Sequence, residues 1–196
     1  MRNTESTKEK ILSVSAGLFN VQGFKATSLS DITTATGLTK GAIYRHFADK
    51  NDLEEKSFVY ISLLIQKEFS RVIKNENNAP DKLRAICHFF LNYIHSPIIQ
   101  GGCPILNAGV ESDDTKPFLN QKVIELLDSL QFALQKIIQK GIEYGQIKKN
   151  TDPLSFSTVF IAALEGGVLL SKLRKQHTDI KRVIAHLQLQ IDLISN

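Results

Sequence analysis

The chain is short of the residues that usually carry covalent and metal chemistry. Its 196 residues include no tryptophan, one methionine, five prolines and two cysteines, Cys87 and Cys103. Two cysteines are too few for a disulfide framework or a thiolate-rich zinc site. No uninterrupted apolar run reaches about 18 residues, the length that crosses a bilayer. Because residues 1–10 are also polar, we expect no signal peptide, no membrane segment and a cytoplasmic location.

The signatures of common enzymes are missing as well. The sequence has no Gly-x-Ser-x-Gly nucleophile, no phosphate-binding loop, no pair of metal ligands and no cysteine–histidine constellation. His88 and His95 are seven residues apart and could share a helix face, but two histidines without a third ligand are a weak metal signal. We therefore expect no catalysis, no cofactor and no bound metal.

Helical periodicity runs through the whole sequence instead. Apolar residues recur at spacings of three and four, as in the series from Ile180 to Ile191, and neither strand-like alternation nor an internal repeat occurs. The pattern predicts an all-α fold with a polar loop at 111–117. Nine helices are expected. The second runs from a cap at Ser28 or Ser30 to a turn at Gly37, and the fourth runs from Asp49 or Asn51 to about Lys74. The others are expected at about 7–22, 40–47, 81–95, 104–110, 117–144, 153–175 and 178–194.

The segment 27–52 is the most informative part of the chain. Ser28 or Ser30 can cap a first short helix, because their hydroxyls accept a hydrogen bond from a free N–H group. Gly37 suits a sharp turn after that helix, since only glycine takes a left-handed backbone without penalty. Thr39 can then cap a second helix. Two short helices joined by a tight turn are the shape of a helix-turn-helix DNA reader.

The second helix, predicted over Lys40–Phe47, has the surface that a major groove admits. Ile43 and Phe47 lie four residues apart and would bury one side of it. Its other side chains are small or can donate hydrogen bonds, which allows close approach to base edges and phosphates. They are Lys40, Gly41, Ala42, Tyr44, Arg45 and His46.

The same residues resemble the TetR/AcrR family of bacterial regulators. The run from Gly41 to Leu53, Gly-Ala-Ile-Tyr-Arg-His-Phe-Ala-Asp-Lys-Asn-Asp-Leu, is similar to the family pattern Gly-x-x-Tyr-x-His-Phe-x-x-Lys-x-x-Leu. The preceding run from Ala35 to Thr39 resembles the family's Ala-Gly-Val-Ser, with Thr33 and Thr36 as mild departures. The match covers about the first 55 residues and fixes many positions at set spacing.

This resemblance implies an organisation and a function. Residues 1–50 would form a three-helix DNA-binding head, and residues 51–196 a helical body that binds a ligand and dimerises. A homodimer would bind a palindromic operator and leave it when a small-molecule inducer binds, and repression is the family's habit. Tyr44 and His46 resemble the family's phosphate-contacting pair. For His46, a structural role against the next helix is the alternative.

The remaining DNA contacts are expected from chemistry and position. Arg45 can reach guanine or a phosphate, Lys50 can pair with a phosphate at the start of the fourth helix, and the hydroxyls of Thr27 and Ser28 can cap the first short helix and touch phosphate together. The predicted DNA-binding residues are Thr27, Ser28, Thr39, Lys40, Gly41, Ala42, Tyr44, Arg45, His46 and Lys50.

Positive charge is concentrated in the same part of the chain. Residues 1–50 hold seven Lys or Arg against four acids, so three of the four net positive charges lie in the first quarter. Phosphate neutralisation needs cations, and the excess therefore favours DNA binding. A solvated surface with a chance bias is the alternative, because three charges are few.

The body is rich in aromatic residues and can host an apolar ligand pocket, although each residue singly can also be plain core. That a cavity exists is implied by the resemblance. The predicted ligand-binding residues are Phe90, Tyr93, Cys103, Asn107, Phe132, Phe160 and Glu165, and Glu111 is a further polar candidate.

Cys103 has two interpretations. It follows two glycines at the predicted start of a helix, where the helix dipole lowers a thiol pKa, and some family members that sense electrophiles resemble it in placing a Gly-Cys pair there. Alternatively it is a small buried residue that fills a turn. Cys87 lies on an apolar stripe and is expected in the core.

The run from Ala162 to Gly167 places small residues in the middle of a helix. Such residues cost helix stability and usually permit another helix to approach closely. Together with the apolar final helix they suggest a two-fold, four-helix dimer interface, and packing within one subunit is the alternative. The leading hypothesis is thus a homodimeric regulator. Its rivals are a helical enzyme with a DNA-binding head and a DNA-binding architectural protein without a ligand.

Overall fold

Helices make up all the regular secondary structure in the part of the chain that the computed structural model describes, residues 2–113 and 116–196. An isolated antiparallel bridge joins Ile147 to Ser195. The predicted all-α class is therefore confirmed. The helices are α1 (Arg2–Gln22), α2 (Leu29–Thr36), α3 (Lys40–Tyr44), α4 (Lys50–Lys74), α5 (Ala79–His95), α6 (Pro104–Ser112), α7 (Pro117–Glu143), α8 (Pro153–Arg174) and α9 (Thr178–Ile194).

Side-chain caps set the starts of several helices. Ser28, Thr39, Asn78 and Asp152 precede α2, α3, α5 and α8, and each accepts a hydrogen bond from a backbone N–H of the following turn. These bonds satisfy N–H groups that have no partner inside the helix. Because a cap acts over two or three residues, it can be predicted from local sequence, and the caps at Ser28 and Thr39 are confirmed.

Several helix boundaries differ from the prediction: α1 begins at Arg2 and α5 at Ala79, earlier than expected, and two C-terminal ends also differ. The α3 helix ends at Tyr44 instead of Phe47, because the His46 N–H donates to Ile43 O at 2.9 Å and tightens the last turn. The α6 helix continues past Val110 to Ser112, so Glu111 is helical. The predicted polar loop 111–117 also contains Asp114 and Thr115, which lie outside the described residues.

The chain divides into two compact units that do not follow chain order. Unit 1 joins the residues up to Leu64 with Ile99–Leu126, and unit 2 joins Ile65–Ile98 with Leu127–Asn196. The α4 and α7 helices each run from one unit into the other. Segment 99–126 therefore belongs to the same unit as α1 to α3. The functional boundary expected at residue 50 remains a prediction.

An aromatic core holds unit 1 together. Phe19 and Phe24 stack with ring centroids 5.0 Å apart, and Phe58 of α4 lies 6.5 Å from Phe24. All three are almost fully buried. Apolar residues of the first four helices, and Phe47 between α3 and α4, complete this core. The helical ones are Ile11, Ile32, Ile43, Leu53 and Ile61. The short α2 and α3 are thereby fixed on a rigid base that neither could form alone.

Unit 2 is built around the packing of α5, α8 and α9. Gly167 permits close packing of α8 on α9, because a Cβ there would lie 2.8 Å from Ile180 Cδ1 and 3.2 Å from Val183 Cγ2. Buried Leu164 and Ile184 belong to the same core. An aromatic cluster, defined as Phe69, Phe89, Phe90 and Tyr93, fills the space between α4 and α5.

Helix α8 is more apolar than the sequence analysis anticipated. By length and composition alone it could cross a membrane, but one such helix is weak evidence, because the core helix of a soluble protein passes the same test. Its buried residues include Glu165, Gly167 and Ser171, which a lipid-facing surface would not favour.

Candidate DNA-binding surface

Helix α2 begins with a complete capping box. The Ser28 hydroxyl accepts a hydrogen bond from the Asp31 N–H at 3.2 Å, and the Asp31 carboxylate accepts from the Ser28 N–H at 2.7 Å. Hydrogen bonds from the Ser28 side chain and backbone hold the pKa of Asp31 below its ordinary value. At the other end, Gly37 has φ of +69° and its N–H donates to Thr33 O. The turn between α2 and α3 is thus set by local chemistry.

Helix α3 presents its polar face outward. Ile43 is fully buried and Phe47 is 2% exposed, while Lys40, Gly41, Tyr44 and Arg45 are exposed and Ala42 and His46 are half-buried. Thr39 caps the helix by accepting from the Ala42 N–H at 3.2 Å. The structure therefore brings the predicted residues of α3 onto one accessible surface.

Gly41 is not required by the packing of its own chain. A Cβ built there would find only Thr39 Oγ1, at 4.0 Å. A side chain would fit, and the backbone of this glycine is not in the left-handed region. The space beside Gly41 is therefore open to a molecule outside the chain, as a reading helix that approaches base edges requires.

The prediction for Thr27 needs correction. Its side chain is fully buried, and its hydroxyl donates to Gly23 O at 2.7 Å instead of facing outward. Ser28 alone caps α2, and it is exposed. The sequence could not distinguish Thr27 from the cap residue Ser28, because both side chains carry a hydroxyl.

Lys50 has internal partners that the sequence did not reveal. Its Nζ donates to Phe24 O at 2.9 Å and lies 3.1 Å from Glu54 Oε1. Glu54 is only 2% exposed and also pairs with Lys116 at the start of α7. A buried carboxylate thus lies between two lysines, and Lys50 holds α4 against the end of α1. Its contact with phosphate remains a prediction.

The first turn of α4 is capped by two carboxylates. Asp49 Oδ1 accepts from the Asp52 N–H at 2.8 Å, and Asp52 Oδ2 accepts from the Ala48 N–H at 2.9 Å. Burial raises the pKa of Asp52, but hydrogen bonds from Lys56 and from the Ala48 N–H outweigh it, so this pKa lies below its ordinary value. The turn that follows α3 is therefore fixed by local caps as well.

Polar contacts fasten α6 to the end of α1. The Glu111 carboxylate accepts from the backbone N–H groups of Phe24, at 2.7 Å, and Lys25. Asn107 Nδ2 donates to both Asn20 O and Asn20 Oδ1 at 3.0 Å. We call Asn20, Asn107 and Glu111 the α1–α6 clamp. Asn107 and Glu111 are thus engaged within the protein, which corrects their expected place among pocket residues.

Glycines let the clamp close. Gly101 has φ of +112°, and a Cβ there would lie 2.4 Å from Asn20 O. Asn20 Nδ2 also donates to Gln100 O at 2.7 Å and Gly102 O at 3.0 Å. The sequence signals of this site were the paired glycines and an asparagine inside an apolar helix, but neither identified the partner.

The predicted ligand residues have different surroundings within the units of the described chain. Phe90 and Tyr93 lie in the aromatic cluster of unit 2, and Glu165 is buried in α8. Phe160 instead lines a groove of about 580 Å³ along α8 and α9. Phe132 is 59% exposed, with Lys136 Nζ 5.1 Å from its ring centre, so its assignment to a pocket is corrected.

The two cysteines are both buried. Cys103 is the N-cap residue of α6 and is 9% exposed, and it belongs to unit 1 with the clamp. Cys87 is fully buried in α5, and this burial raises the pKa of its thiol to about 12. The expectation that Cys87 is a core residue is confirmed.

Two neighbouring glycines of α8 have different surroundings. Gly167 packs against α9, as described, whereas nothing lies within 4 Å of a Cβ at Gly166. Exposed apolar side chains flank this open position and continue on α9. They are Leu154, Val159, Leu169, Leu170 and Leu173 on α8 and Leu189 and Leu193 on α9, and we call them the α8–α9 face.

Comparison with known proteins identifies the family. Residues 11–55 match the profile "Bacterial regulatory proteins, tetR family", and residues 79–187 match "Tetracyclin repressor-like, C-terminal domain". The chain is similar to the crystal structure of a TetR transcriptional regulator from Chloroflexus aurantiacus J-10-fl, with 34% identity and a TM-score of 0.96 over 100% of this chain and 98% of that one.

Two curated relatives agree with this assignment. The transcriptional repressor DhaR of Mycobacterium sp. (strain GP1) is 23% identical over 167 residues, which are 85% of this chain and 83% of that protein. The regulator AcrR of Shigella flexneri is 48% identical over 52 residues, 26% of this chain and 24% of its own. With the helix-turn-helix geometry of α2 and α3, these matches show that the chain belongs to the TetR family of bacterial transcriptional regulators and is not an enzyme.

Proposed function

We propose that the protein is a repressor that binds a palindromic operator as a homodimer and leaves it when a small-molecule inducer binds. The observation that carries this proposal is the outward, donor-rich face of α3 above the buried Ile43 and Phe47. Because its target is genomic DNA, the protein would work in the cytoplasm.

The residues of α3 and of the turn that follows it have two roles in this proposal. Gly41 and Ala42 leave room for the helix backbone near base edges, and Arg45 reads a guanine, whose O6 and N7 accept two hydrogen bonds from a guanidinium group. Lys40, Tyr44, His46 and the caps Ser28 and Thr39 contact phosphates, which fixes orientation without reading sequence. Lys50, at the start of α4, would add a further contact to a phosphate.

The dimer would form through the α8–α9 face. A group of exposed apolar side chains on neighbouring helices is typical of an interaction surface. The open space at Gly166 allows a partner helix to approach. The open space at Gly166 supports an interface between subunits there, because no described residue lies within 4 Å of a Cβ at that position. At Gly167 the structure shows the alternative, packing within one subunit.

The inducer would act through the α1–α6 clamp. Glu111 and Asn107 lie on α6, and their partners lie at the end of α1, directly before α2. A shift of α6 would therefore change the position of the reading helices by breaking or moving defined hydrogen bonds. An inducer does this only if it binds the two arrangements with different affinity.

Selection of bound duplexes from a random pool tests the proposal. We expect one enriched palindromic sequence, saturable binding by a dimer, and a log–log salt slope near −0.9 for each phosphate contact. Binding to all duplexes with equal affinity would contradict a sequence-specific repressor. A screen of small molecules for release of the selected operator tests the inducer separately, and failure of every class would favour the architectural alternative.

A thiol trigger at Cys103 is the second candidate. It is favoured by the position of Cys103 at the N-terminus of α6, four residues before Asn107 of the clamp. Oxidation or alkylation there would add polarity or bulk at a residue that is 9% exposed. The same burial also slows any reagent. Release of operator from the wild type but not from Cys103→Ser on treatment with an electrophile is the result that this candidate requires.

A further inference from the structure

A groove in unit 2 gathers positive charge away from the DNA-reading helices. Its volume is about 360 Å³, and it lies between the end of α4, the start of α5 and the second half of α7. Lys74, Lys82, Lys136 and Lys140 line it, and no carboxylate is among the described residues of its lining. Four lysines from three helices therefore line one concave surface, and Lys136 Nζ also lies 5.1 Å from the centre of the Phe132 ring.

Two carboxylates close in sequence to these lysines, Asp81 and Glu143, are engaged elsewhere. Asp81, beside Lys82, accepts hydrogen bonds from Asn78 Nδ2 at 2.6 Å and from Arg84 Nη1 at 2.9 Å. Glu143 is the first acidic residue after Lys140 on α7, and it accepts a hydrogen bond from Gln139 Nε2 at 3.3 Å. Neither carboxylate compensates the lysines of the groove in these contacts.

The arrangement is unfavourable for the protein by itself. Lys136 and Lys140 are four residues apart on α7, a spacing at which like charges repel. Lys82 lies in the first turn of α5, at the positive end of the helix dipole. A bound anion would relieve both effects, because it would be attracted to every lysine and to the helix end.

The floor of the groove is apolar and firm. Ile137 is 7% exposed and Ala79 is 4% exposed. Gly141 is buried, and a Cβ there would lie 2.6 Å from Ala79 Cβ. The floor is therefore closely packed. Tyr144, at the rim, is 74% exposed. A ligand that fits this surface carries an anionic group for the lysines and an apolar part for the floor.

We propose that this groove is a binding site for a small amphiphilic anion, an organic carboxylate or sulfonate with an apolar body. Its volume lies within the range of small-molecule pockets, about 300 to 1,000 Å³. Lysine provides point charges that suit such a head group without demanding the planar fork that arginine offers. The proposal concerns binding alone and stands whether or not the ligand releases DNA.

Calorimetric titration of the full-length protein with decanoate tests it. We expect saturable binding to the wild type, and a loss of about tenfold or more in affinity in the double variant Lys136→Gln/Lys140→Gln. Lys136→Arg/Lys140→Arg should retain binding, because it keeps the charge. The matched control is Lys67→Gln/Lys149→Gln, which removes the same charge from exposed positions outside the groove and should bind decanoate as the wild type does.

Three probes separate the parts of the proposal. Inorganic phosphate supplies the charge without the apolar body, and decylammonium supplies the apolar body with the opposite charge, so both should bind at least about tenfold more weakly than decanoate. Equal losses in the groove and control variants, no saturable decanoate binding to the wild type, or tighter binding of either other probe would each overturn the proposal.

Discussion

Helices α3 and α8 both expose small residues, but their surroundings differ. On α3, Gly41 is accompanied by exposed Tyr44 and Arg45, while on α8, Gly166 is accompanied by exposed Leu170 and Leu173. A Cβ at either glycine would meet no described atom closer than 4.0 Å. The neighbours therefore distinguish the partners: hydrogen-bond donors suit phosphates and base edges, and apolar side chains suit another helix.

The two helices also differ in how they are held. The α3 helix has five residues, one of them buried, and depends on the Thr39 cap and on the packing of Ile43. The α8 helix has 22 residues and buries Phe160, Leu164 and Gly167 in unit 2. A short reading helix is therefore sensitive to its supports, whereas a long interface helix is sensitive to changes on its contact face.

The largest effect is expected from Gly166→Leu. The side chain has room in its own chain but would fill the space that a partner helix needs, so the variant should fold and be monomeric. Operator affinity should then fall on the order of 10³-fold, because one head makes half of the contacts. Sedimentation and operator titration measure both properties.

Gly167→Ala is the matched control, because its Cβ meets Ile180 within the subunit. It should lower the melting temperature and leave the dimer intact. An unchanged dimer for Gly166→Leu would place the interface elsewhere. Leu187 of α9 is unsuitable for this test, because it is 2% exposed within the subunit and its replacement would test folding instead.

Arg45→Ala should cost about 1–3 kcal/mol of operator binding and relax the preference at one base position. Lys40→Ala should weaken binding to all duplexes nearly equally and reduce the salt slope by about 1. Binding of selected and randomised duplexes over a range of salt concentrations separates the two. If both variants lose the same affinity on both kinds of duplex, Arg45 reads no base.

Glu111→Gln tests the clamp. The amide has one acceptor oxygen for two backbone N–H groups, so the free energy of unfolding should fall by about 1–2 kcal/mol. Operator affinity should fall several-fold in a protein that still dimerises. Glu125→Gln removes an exposed carboxylate that forms a surface ion pair with Lys122, and it serves as the control. Equal stability and DNA binding in both variants would show that the clamp does not position the head.

Ser28→Ala should lower the free energy of unfolding by about 1 kcal/mol, because α2 loses its cap. The effect should depend on pH. Since Ser28 lowers the pKa of Asp31 in the folded state, that contribution is complete above the unfolded value of 3.8 and disappears as the pH falls through the lower folded pKa. Denaturant unfolding from pH 7 to pH 3 measures it. A difference between wild type and variant that grows towards acid would contradict the capping box.

The smallest effect is expected from Cys103→Ser. At 9% exposure the thiol should react slowly with an electrophile, and both proteins should bind operator alike before and after treatment. Mobility-shift titrations before and after alkylation provide the measurement. If alkylation rapidly released the wild type, but not the variant, from the operator, a thiol trigger would be favoured over a reversible inducer.

Much of the fold could be predicted because its signals are local. The caps at Ser28 and Thr39 act over three residues, and the left-handed turn at Gly37 needs only its own backbone. The buried side of α3 follows from the spacing of Ile43 and Phe47. The outward face, and with it the candidate DNA-binding surface, was therefore available from the sequence alone.

Contacts between distant segments could not be predicted in the same way. Glu111 and Phe24 are 87 residues apart, and Lys50 and Phe24 are 26 apart. A polar residue on a helix has the same local pattern whether it faces a ligand or a backbone N–H group. Asn107 and Glu111 were accordingly expected in a pocket, and Thr27 at the surface.

The sequence by itself determined the helices, their caps and the reading surface, because each depends on residues within one or two turns. Only the tertiary structure decided that Gly166 is open while Gly167 is filled by α9, that Lys50 has partners inside unit 1, and that segment 99–126 packs with the first helices. Helical periodicity gives the direction of a side chain relative to its own helix axis. What lies in that direction depends on how the other helices pack, and that packing is set by the whole chain.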